Sequence, residues 1–276
     1  MDKKMLALDL DGTLLRSDKT ISDACIGELR RLSAAGVTIV AATGRGYNAL
    51  PDEVVSLEEI GYAVTLNGAA VYAMHPKTLI KERFMSGTAV DAIMMATYGE
   101  PGICYEIFMD GQGYANKEYV NDPLDFGVLE HSKAYIMRTR KPVADIADFV
   151  KEFKGRFNVL NIIIADRPRK KAIMSRLCSE VPDIYVTESS SHLIEISPYG
   201  SGKENALAKL AGSLGIAPDE IVAMGDADND EGMLKEVGCG VAMGNASDKC
   251  KAAADFITSS NDEDGVAAAI KKLWPL

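Results

Sequence analysis

The chain contains the stretch Met-Leu-Ala-Leu-Asp-Leu-Asp-Gly-Thr-Leu-Leu at residues 5–15. Its apolar first part, residues 5–8, is typical of a buried strand, and Asp9 and Asp11 follow at the strand's carboxyl end. Residues two apart in an extended chain point to the same side, so both carboxylates would face one small volume. Like charges that close repel each other unless a cation or a proton separates them. The stretch therefore indicates a metal site, while a plain acidic Asp-Gly turn remains an open alternative.

Composition and charge limit the class of protein. The chain has 276 residues, of which 47% are hydrophobic and 25% are charged, as in ordinary globular proteins, and it exceeds the size at which single cores usually split. Its formal net charge of -10 argues against unassisted binding to nucleic acid or an anionic membrane. The five cysteines lack metal-site spacing and read as reduced thiols of a cytoplasmic protein. No apolar run approaches the ~18 residues of a membrane helix, so we expect an intracellular, two-domain protein.

Strands and helices alternate in the first and last parts of the chain. We predict strands over 5–8, 37–42, 62–66, 220–224 and 239–242, and helices over 20–35, 203–214 and 263–273. This alternation is typical of βαβ units around a parallel sheet. The expected fold class is therefore α/β, with a Rossmann-like parallel-sheet core.

Residues 85–196 show a different pattern. Short strands and helices are mixed there, including a predicted strand near 134–138 and a predicted helix over 143–153, which suits an α+β unit with an antiparallel sheet. We therefore predict a core formed by residues 1–84 and 197–276, interrupted by an inserted α+β domain over 85–196.

Two further clusters follow predicted strands or begin predicted helices. Thr43-Gly44-Arg45 offers a hydroxyl and backbone N–H groups at a glycine turn, which can hold a phosphate; an ordinary N-cap threonine is the alternative. Gly200-Ser201-Gly202-Lys203 brings an ammonium to a helix start, where it opposes the helix dipole. It is not a Walker A loop, because Ser197 stands where the first glycine would be. A solvated surface lysine remains the alternative.

The most acidic cluster follows the predicted strand at 220–224. Asp226, Asp228 and Asp230, with Asn229 between them, lie directly after the apolar run. Mg²⁺ prefers oxygen ligands, usually a few carboxylates completed by waters and substrate phosphate. Beside Asp9 and Asp11 on a parallel sheet, these residues would complete a magnesium site.

Together, the four clusters resemble, in order, the four motifs of haloacid dehalogenase-like hydrolases. The matching segments are Asp9-Leu10-Asp11-Gly12-Thr13-Leu14, Thr43-Gly44-Arg45, Lys203, and Gly225-Asp226-x-x-Asn229-Asp230. Smaller signatures resemble the Cof-type phosphatase branch, namely Leu66-Asn67-Gly68-Ala69, Met233-Leu234, Val241-Ala242-Met243-Gly244-Asn245-Ala246 and residues 261–266. The resemblance spans the whole chain, and the insert stands where that branch carries its α/β cap. Glu204 follows the lysine where glycine is frequent, a departure that disturbs no chemical position.

The resemblance implies a mechanism. Asp9 would attack phosphorus to form an aspartyl-phosphate, and Asp11 would protonate the leaving alcohol and later take a proton from water. This role needs Asp11 uncharged at the start, which burial and a neighbouring carboxylate would favour. Mg²⁺ would be held by Asp9, the Asp11 backbone carbonyl and Asp226. The implied phosphate-binding residues are Leu10, Thr43, Gly44, Lys203 and Asn229, and the supporting residues are Asp230, Arg45 and Asn67.

The substrate is less defined by the sequence than the reaction. The branch suggests a small phosphorylated metabolite, most of all a sugar phosphate, and we expect a monomer or a small homo-oligomer. The cap should close over the leaving group, and its polar candidates are Tyr105, Asp110, Tyr114, Asn116, His192 and Glu195. A phosphosugar mutase or phosphotransferase is the alternative enzyme, and a non-catalytic phosphometabolite sensor is the alternative outside enzymes.

Overall fold

The computed structural model describes residues 3–275, apart from the side chain of His131. They form two compact units. The first comprises the described residues of 1–45, 50–81 and 202–276, and the second comprises 46–49 and 82–201. These divisions lie three to five residues from the expected boundaries at 84 and 197 and assign the short segment 46–49 to the second unit.

Strands and helices alternate along the segments that form the first unit, as the sequence pattern predicts, and the bounds for both units are given together here. In chain order the strands are β1 (Met5–Leu8), β2 (Thr38–Ala42), β3 (Ile60–Thr65), β4 (Ala70–Ala73), β5 (Thr78–Glu82), β6 (Cys104–Met109), β7 (Gln112–Asn116), β8 (Arg140–Val143), β9 (Val159–Ile163), β10 (Ile184–Thr187), β11 (Leu193–Pro198), β12 (Ile221–Gly225), β13 (Cys239–Ala242) and β14 (Phe256–Ile257). The helices are α1 (Asp23–Ala34), α2 (Asp52–Ser56), α3 (Gly87–Thr97), α4 (Lys117–Asn121), α5 (Glu130–Thr139), α6 (Ile146–Phe153), α7 (Arg167–Glu180), α8 (Lys203–Ser213), α9 (Glu231–Lys235), α10 (Asp248–Ala253) and α11 (Gly265–Leu273). Within residues 3–275, none of these helices has both the length and the apolar character needed to cross a membrane.

The sheet of the first unit places β1 at its centre. Its strand order is β14-β13-β12-β1-β2-β3-β4-β5, and β1 pairs in parallel with β12 on one side and β2 on the other. Leu8, the last residue of β1, lies opposite Met224 and Ala41. The carboxyl ends of the three strands therefore meet at one edge of the sheet, where open α/β sheets bind ligands. This confirms the predicted α/β class with a parallel-sheet core.

The second unit is built around a six-stranded sheet with the order β10-β11-β9-β6-β7-β8. Its neighbouring strands are antiparallel, except that β7 and β8 are parallel. One face packs against α3, α6 and α7 through a large apolar cluster. A smaller apolar cluster lies between strand residues and the segment that contains α4 and α5. The unit is thus the expected α+β insert.

One predicted element is wrong. The strand predicted near 134–138 is part of helix α5, and the following strand, β8, starts only at Arg140. A short apolar run such as residues 134–137 does not distinguish strand from helix by periodicity. Packing decides it, because the helix places Ile136 in the smaller apolar cluster beside Val120 and Val128.

Candidate active site

The site begins where β1, β2 and β12 end. Asp9 follows β1 directly, and its backbone N–H donates to the Met224 carbonyl at 3.0 Å, which extends the pairing with β12 by one residue. Thr43 follows β2, and its N–H donates to the Val64 carbonyl at 2.8 Å. The parallel ladder therefore delivers residues that are far apart in the sequence to one edge of the first unit.

Lys203 is the first residue of α8 and is completely buried. Its Nζ lies 2.6 Å from Asp9 Oδ1 and 2.7 Å from Asp230 Oδ1. An ammonium at a helix N-terminus opposes the helix dipole, and burying it is costly unless it is paired. The two carboxylates offset both costs, and their charges raise the pKa of Lys203 above its ordinary value although burial alone would lower it. Lys203 is therefore an interior cation paired with two carboxylates, and the alternative of a solvated surface lysine is wrong.

A third carboxylate, that of Asp226, lies close to the two that contact Lys203. Ligand oxygens of Asp9, Asp226 and Asp230 all lie within 4.8 Å of one another. Burial raises the pKa of Asp9 well above its ordinary value; Lys203 opposes this shift, whereas Asp230 and Asp226 add to it. Burial and the Asp230 charge likewise raise the pKa of Asp226 to about 7. The cluster thus carries more negative charge than its protein partners compensate.

The hydrogen bonds within the cluster divide its members into two kinds. Both oxygens of Asp230 are engaged: Oδ1 receives Lys203, and Oδ2 accepts the N–H groups of Asp226 and Ala227 at 3.0 Å each. Asp9 Oδ1 receives Lys203, and Asp226 Oδ1 accepts the Thr13 hydroxyl at 2.9 Å. Within the described chain, no hydrogen bond reaches Oδ2 of Asp9 or Asp226. Asp9 and Asp226 are therefore the better metal ligands, and Asp230 is suited to orienting Lys203.

The donor set fits Mg²⁺. It consists of closely spaced carboxylate oxygens with uncompensated negative charge, which is what a hard divalent cation requires. Gly12 permits the compact arrangement, because its φ of +82° is open to glycine and an added Cβ would overlap the Asp226 carboxylate. The alternative of a plain acidic Asp-Gly turn therefore does not account for the arrangement of residues 9–13.

The structure corrects the expected protonation state of Asp11. Its side chain, about 40% exposed, accepts from Arg45 Nε at 2.6 Å, from Arg45 Nη2 at 2.7 Å and from Lys19 Nζ at 2.9 Å. Burial would raise the pKa of Asp11, but the Arg45 and Lys19 contacts outweigh it and hold the pKa well below its ordinary value. The sequence suggests an uncharged Asp11. In this arrangement Asp11 is ionised, because the Arg45 and Lys19 cations both contact its carboxylate.

The predicted phosphate-binding residues surround the same strand ends. The buried Thr43 hydroxyl accepts the Arg45 N–H at 3.1 Å, so its own proton can be donated to a phosphoryl oxygen. Gly44 lies next to it in the loop, and Leu10 is buried between Asp9 and Asp11.

An asparagine pair completes this part of the site. Asn229 Nδ2 donates to Asn67 Oδ1 at 3.0 Å, which leaves the second hydrogen of that nitrogen available. Asn229 Oδ1 is buried and has no hydrogen-bond partner among the described residues.

The polar candidates of the second unit separate into different environments. Tyr105 and Tyr114 belong to the apolar cluster on the helix-covered face, and Asn116 accepts the Tyr105 N–H at 2.7 Å. These three have structural partners that explain them. Exposed Asp110 pairs with Arg156, and His192 Nδ1 lies 3.3 Å from the Ser190 hydroxyl. Glu195 is buried in β11.

Two residues of the site were not singled out from the sequence. Thr13 belongs to the turn after Asp11, and its buried hydroxyl donates a hydrogen bond to Asp226. Lys19, whose own φ is +71°, reaches Asp11 from the loop that follows β1. No sequence pattern marks this lysine. That loop is held by bonds from Ser17 to Asp262 at 2.7 and 2.9 Å.

Comparison with known proteins agrees with the resemblance that the sequence motifs indicate. A family model described as haloacid dehalogenase-like hydrolase matches residues 6–270. The 5-amino-6-(5-phospho-D-ribitylamino)uracil phosphatase YitU of Bacillus subtilis is 31% identical over 281 residues, covering 99% of this chain and 98% of its own. Phosphatase YwpJ of the same organism is 29% identical, with coverages of 98% and 99%. A haloacid dehalogenase-like hydrolase structure from Bacteroides thetaiotaomicron has a TM-score of 0.80 and 28% identity, covering 99% and 100% of the two chains.

Proposed function

The chain belongs to the haloacid dehalogenase-like hydrolases, in their Cof-type branch, and is a phosphatase; we propose that it hydrolyses small phosphorylated metabolites with Mg²⁺ through an aspartyl-phosphate on Asp9. The observation that carries the proposal is the contact of Asp9 with buried Lys203 inside a cluster of three carboxylates. Such an arrangement keeps the Asp9 carboxylate oriented beside closely spaced ligand oxygens that suit a cation.

The first step is proposed to be attack on phosphorus by the Asp9 carboxylate oxygen that does not hold the cation. A bond forms between this oxygen and phosphorus, and the bond from phosphorus to the alcohol oxygen breaks. Thr43, the Gly44 and Leu10 N–H groups, Lys203 and Asn229 are proposed to hold the phosphoryl oxygens. Catalysis of this kind consists mainly of positioning and charge stabilisation.

Asp11 is proposed to handle the proton in both steps. It donates a proton to the departing alcohol oxygen, and it then takes one from the water that attacks the aspartyl-phosphate. The ionised state held by Arg45 and Lys19 suits the second step directly. For the first step, a bound phosphate ester adds negative charge beside Asp11, which raises its pKa and favours the protonated form.

Asp9 and Asp226, with the Asp11 backbone carbonyl as inferred from the resemblance, are proposed to hold Mg²⁺. When bound, the ion supplies positive charge that keeps Asp9 ionised and reduces its repulsion of the incoming phosphate. Asp230 orients Lys203 throughout, since its oxygens already accept hydrogen bonds from Lys203 and two backbone N–H groups.

Phosphate release from a panel of metabolites tests the proposal. We expect release from small sugar and polyol phosphates in the presence of Mg²⁺, and loss of at least about 99% of it with excess chelator, because the carboxylate cluster would lack its cation. Stoichiometric alcohol and inorganic phosphate should be the products. An isomerised phosphosugar without free phosphate would show a mutase instead, and chelator-resistant release would contradict the role of the metal.

The pH dependence of stability offers a separate test of the metal site. Because the pKa of Asp226 is raised to about 7 in the metal-free protein, its contribution to stability is complete near pH 4 and is lost as the pH rises through 7. The metal-free Tm should therefore fall by several degrees between pH 5.5 and pH 8. Mg²⁺ should raise the Tm more at pH 8 than at pH 5.5, since protons compete with the ion. The Asp226→Asn variant should lose part of both effects, because Asp9, whose pKa is also raised, keeps its own share. An equal Mg²⁺ response of the parent at the two pH values would contradict the assignment.

Sugar and polyol phosphates are the proposed substrate class. The support is the name of the YitU relative, whose substrate carries a phosphorylated ribityl chain, so that compound belongs in the panel. Choice of the leaving group is proposed to lie with polar residues of the second unit, with Asp110, His192 and Glu195 as the candidates. A cytoplasmic location is proposed as well, supported by five free cysteines.

A further inference from the structure

A left-handed turn follows β3 in the first unit. Leu66, Asn67 and Gly68 have φ values of +52°, +49° and +89°. Most side chains are sterically strained in this region, whereas glycine avoids the strain and Asn and Asp tolerate it better than other residues. Residues hold such conformations only where their surroundings demand them. Two successive residues other than glycine therefore call for a physical explanation.

The central residue of the turn contacts three loops of the site. The Asn67 N–H donates to the Thr43 carbonyl at 3.1 Å, and its carbonyl accepts the Gly202 N–H at 2.8 Å. Its side chain Oδ1 accepts Asn229 Nδ2 at 3.0 Å. Asn67 is only 3% exposed. One buried residue thus connects the loop after β2, the residue before Lys203 and the loop after β12.

The neighbours of Asn67 hold the turn in place. The Leu66 N–H donates to the Arg45 carbonyl at 3.0 Å. Gly68 lies so close to the Gly202 carbonyl that an added Cβ would overlap it. The turn is consequently wedged between the loop that carries Thr43 and the start of α8, and its backbone has little freedom to relax.

We propose that Asn67 is a positioning residue, which holds Asn229 in place relative to Thr43 and Lys203 so that the phosphoryl-binding groups keep one geometry. The inference rests on the proposed function and extends it, because Asn67 acts through Asn229 and need not touch the substrate. The residue type follows from two requirements. The conformation favours Gly, Asn or Asp, and the bond to Asn229 requires a side-chain acceptor, which excludes Gly. Asp meets both requirements as well.

The Asn67→Gly variant separates positioning from stability. Glycine accepts the left-handed backbone, so we expect the Tm to stay level or rise, whereas loss of the bond to Asn229 should lower kcat about tenfold or more. The KM of the best panel substrate should change less than about threefold. The Asn67→Asp variant keeps both the acceptor and the conformation, so it should recover most of kcat. If Asn67→Gly fails to fold, the kcat of Asn67→Asp tests the inference instead. Parental kcat in Asn67→Gly, or no recovery in Asn67→Asp, would overturn the inference.

Two further variants complete the experiment. Asp183 also has a positive φ, at +61°, and lies in the second unit, so Asp183→Gly is the matched control and should keep parental kcat. Asn229→Ala should lower kcat by itself, and the double variant with Asn67→Gly should lose no more than Asn229→Ala does, since both changes remove one interaction. Losses that multiply in the double variant would contradict action through Asn229.

A binding measurement distinguishes failure of this inference from failure of the proposed function. Calorimetry with orthovanadate and Mg²⁺ should show about tenfold weaker binding to Asn67→Gly than to the parent, because vanadate adopts the five-coordinate geometry of the transition state. A parent that binds vanadate but releases no phosphate from the panel would refute the proposed function alone. Equal vanadate affinity in parent and variant would refute the inference alone, and a parent that binds no vanadate would refute both.

Discussion

Asp9→Asn is expected to lower kcat/KM by at least about 10⁴-fold, because the change removes the attacking oxygen nucleophile and substitution of a nucleophile in an enzyme site has effects of this size. The protein should remain folded. The asparagine oxygen can still accept the Lys203 ammonium, which also keeps its contact with Asp230. Loss of one negative charge relieves repulsion from Asp226 and Asp230, so metal-free Tm at pH 8 should stay level or rise.

Phosphate release and thermal unfolding of the same preparation check this prediction. Asp228→Asn is the matched control, since Asp228 belongs to the same acidic loop but accepts a hydrogen bond from Ser247 at 2.7 Å and lies outside the cluster. Its turnover should stay within about threefold of the parent. Substantial phosphate release by Asp9→Asn would show that the nucleophile is another group.

Lys203→Met is expected to have the largest effect on stability. The methionine fills similar space, but Asp9 and Asp230 lose the ammonium that both contact. Removal of one partner from a buried ion pair costs about 3–5 kcal/mol of unfolding free energy, because a charge is left uncompensated. Turnover should fall by about 10²–10³-fold, since a positioned cation for the phosphoryl oxygens is also lost.

Urea unfolding at pH 8 without metal measures the stability effect. The double variant Lys203→Met/Asp230→Asn should regain part of the lost free energy, because it removes one of the unpaired charges. Lys271→Met, a change of an exposed lysine on helix α11 of the same unit, is the control and should be within about 0.5 kcal/mol of the parent. A Lys203→Met protein as stable as this control would contradict the pairing described above.

Much of the first unit follows from local patterns in the chain. Apolar runs that end in polar turns predict parallel strands whose carboxyl ends share one edge, and the register of β1 with β2 and β12 confirms that edge. The strand predicted near 134–138 failed for a related reason. A run of four apolar residues fits either a helix or a strand, and the packing of Ile136 settled the matter.

The contacts between side chains of the site are harder to predict from local sequence patterns. Asp11 reads as a carboxyl beside another carboxyl, which suggests a raised pKa, yet Arg45 and Lys19 reverse the direction. Arg45 lies 34 residues from Asp11 in the chain, and Lys19 comes from a loop with no recognisable pattern. A pKa depends on all charges within a few ångströms, and distances of that kind are not written in a local motif.

The sequence by itself determined the fold class, the edge of the sheet that carries the site and the chemical groups present there, because strand periodicity and polar strand ends are local properties of the chain. Only the tertiary structure decided how those groups pair: Lys203 is shared by Asp9 and Asp230, Asp11 is bound by Arg45, and Asn67 supports Asn229. Hydrogen bonds and buried charges act over a few ångströms, and chain folding alone brings residues such as Asp9 and Lys203, 194 positions apart, within that range.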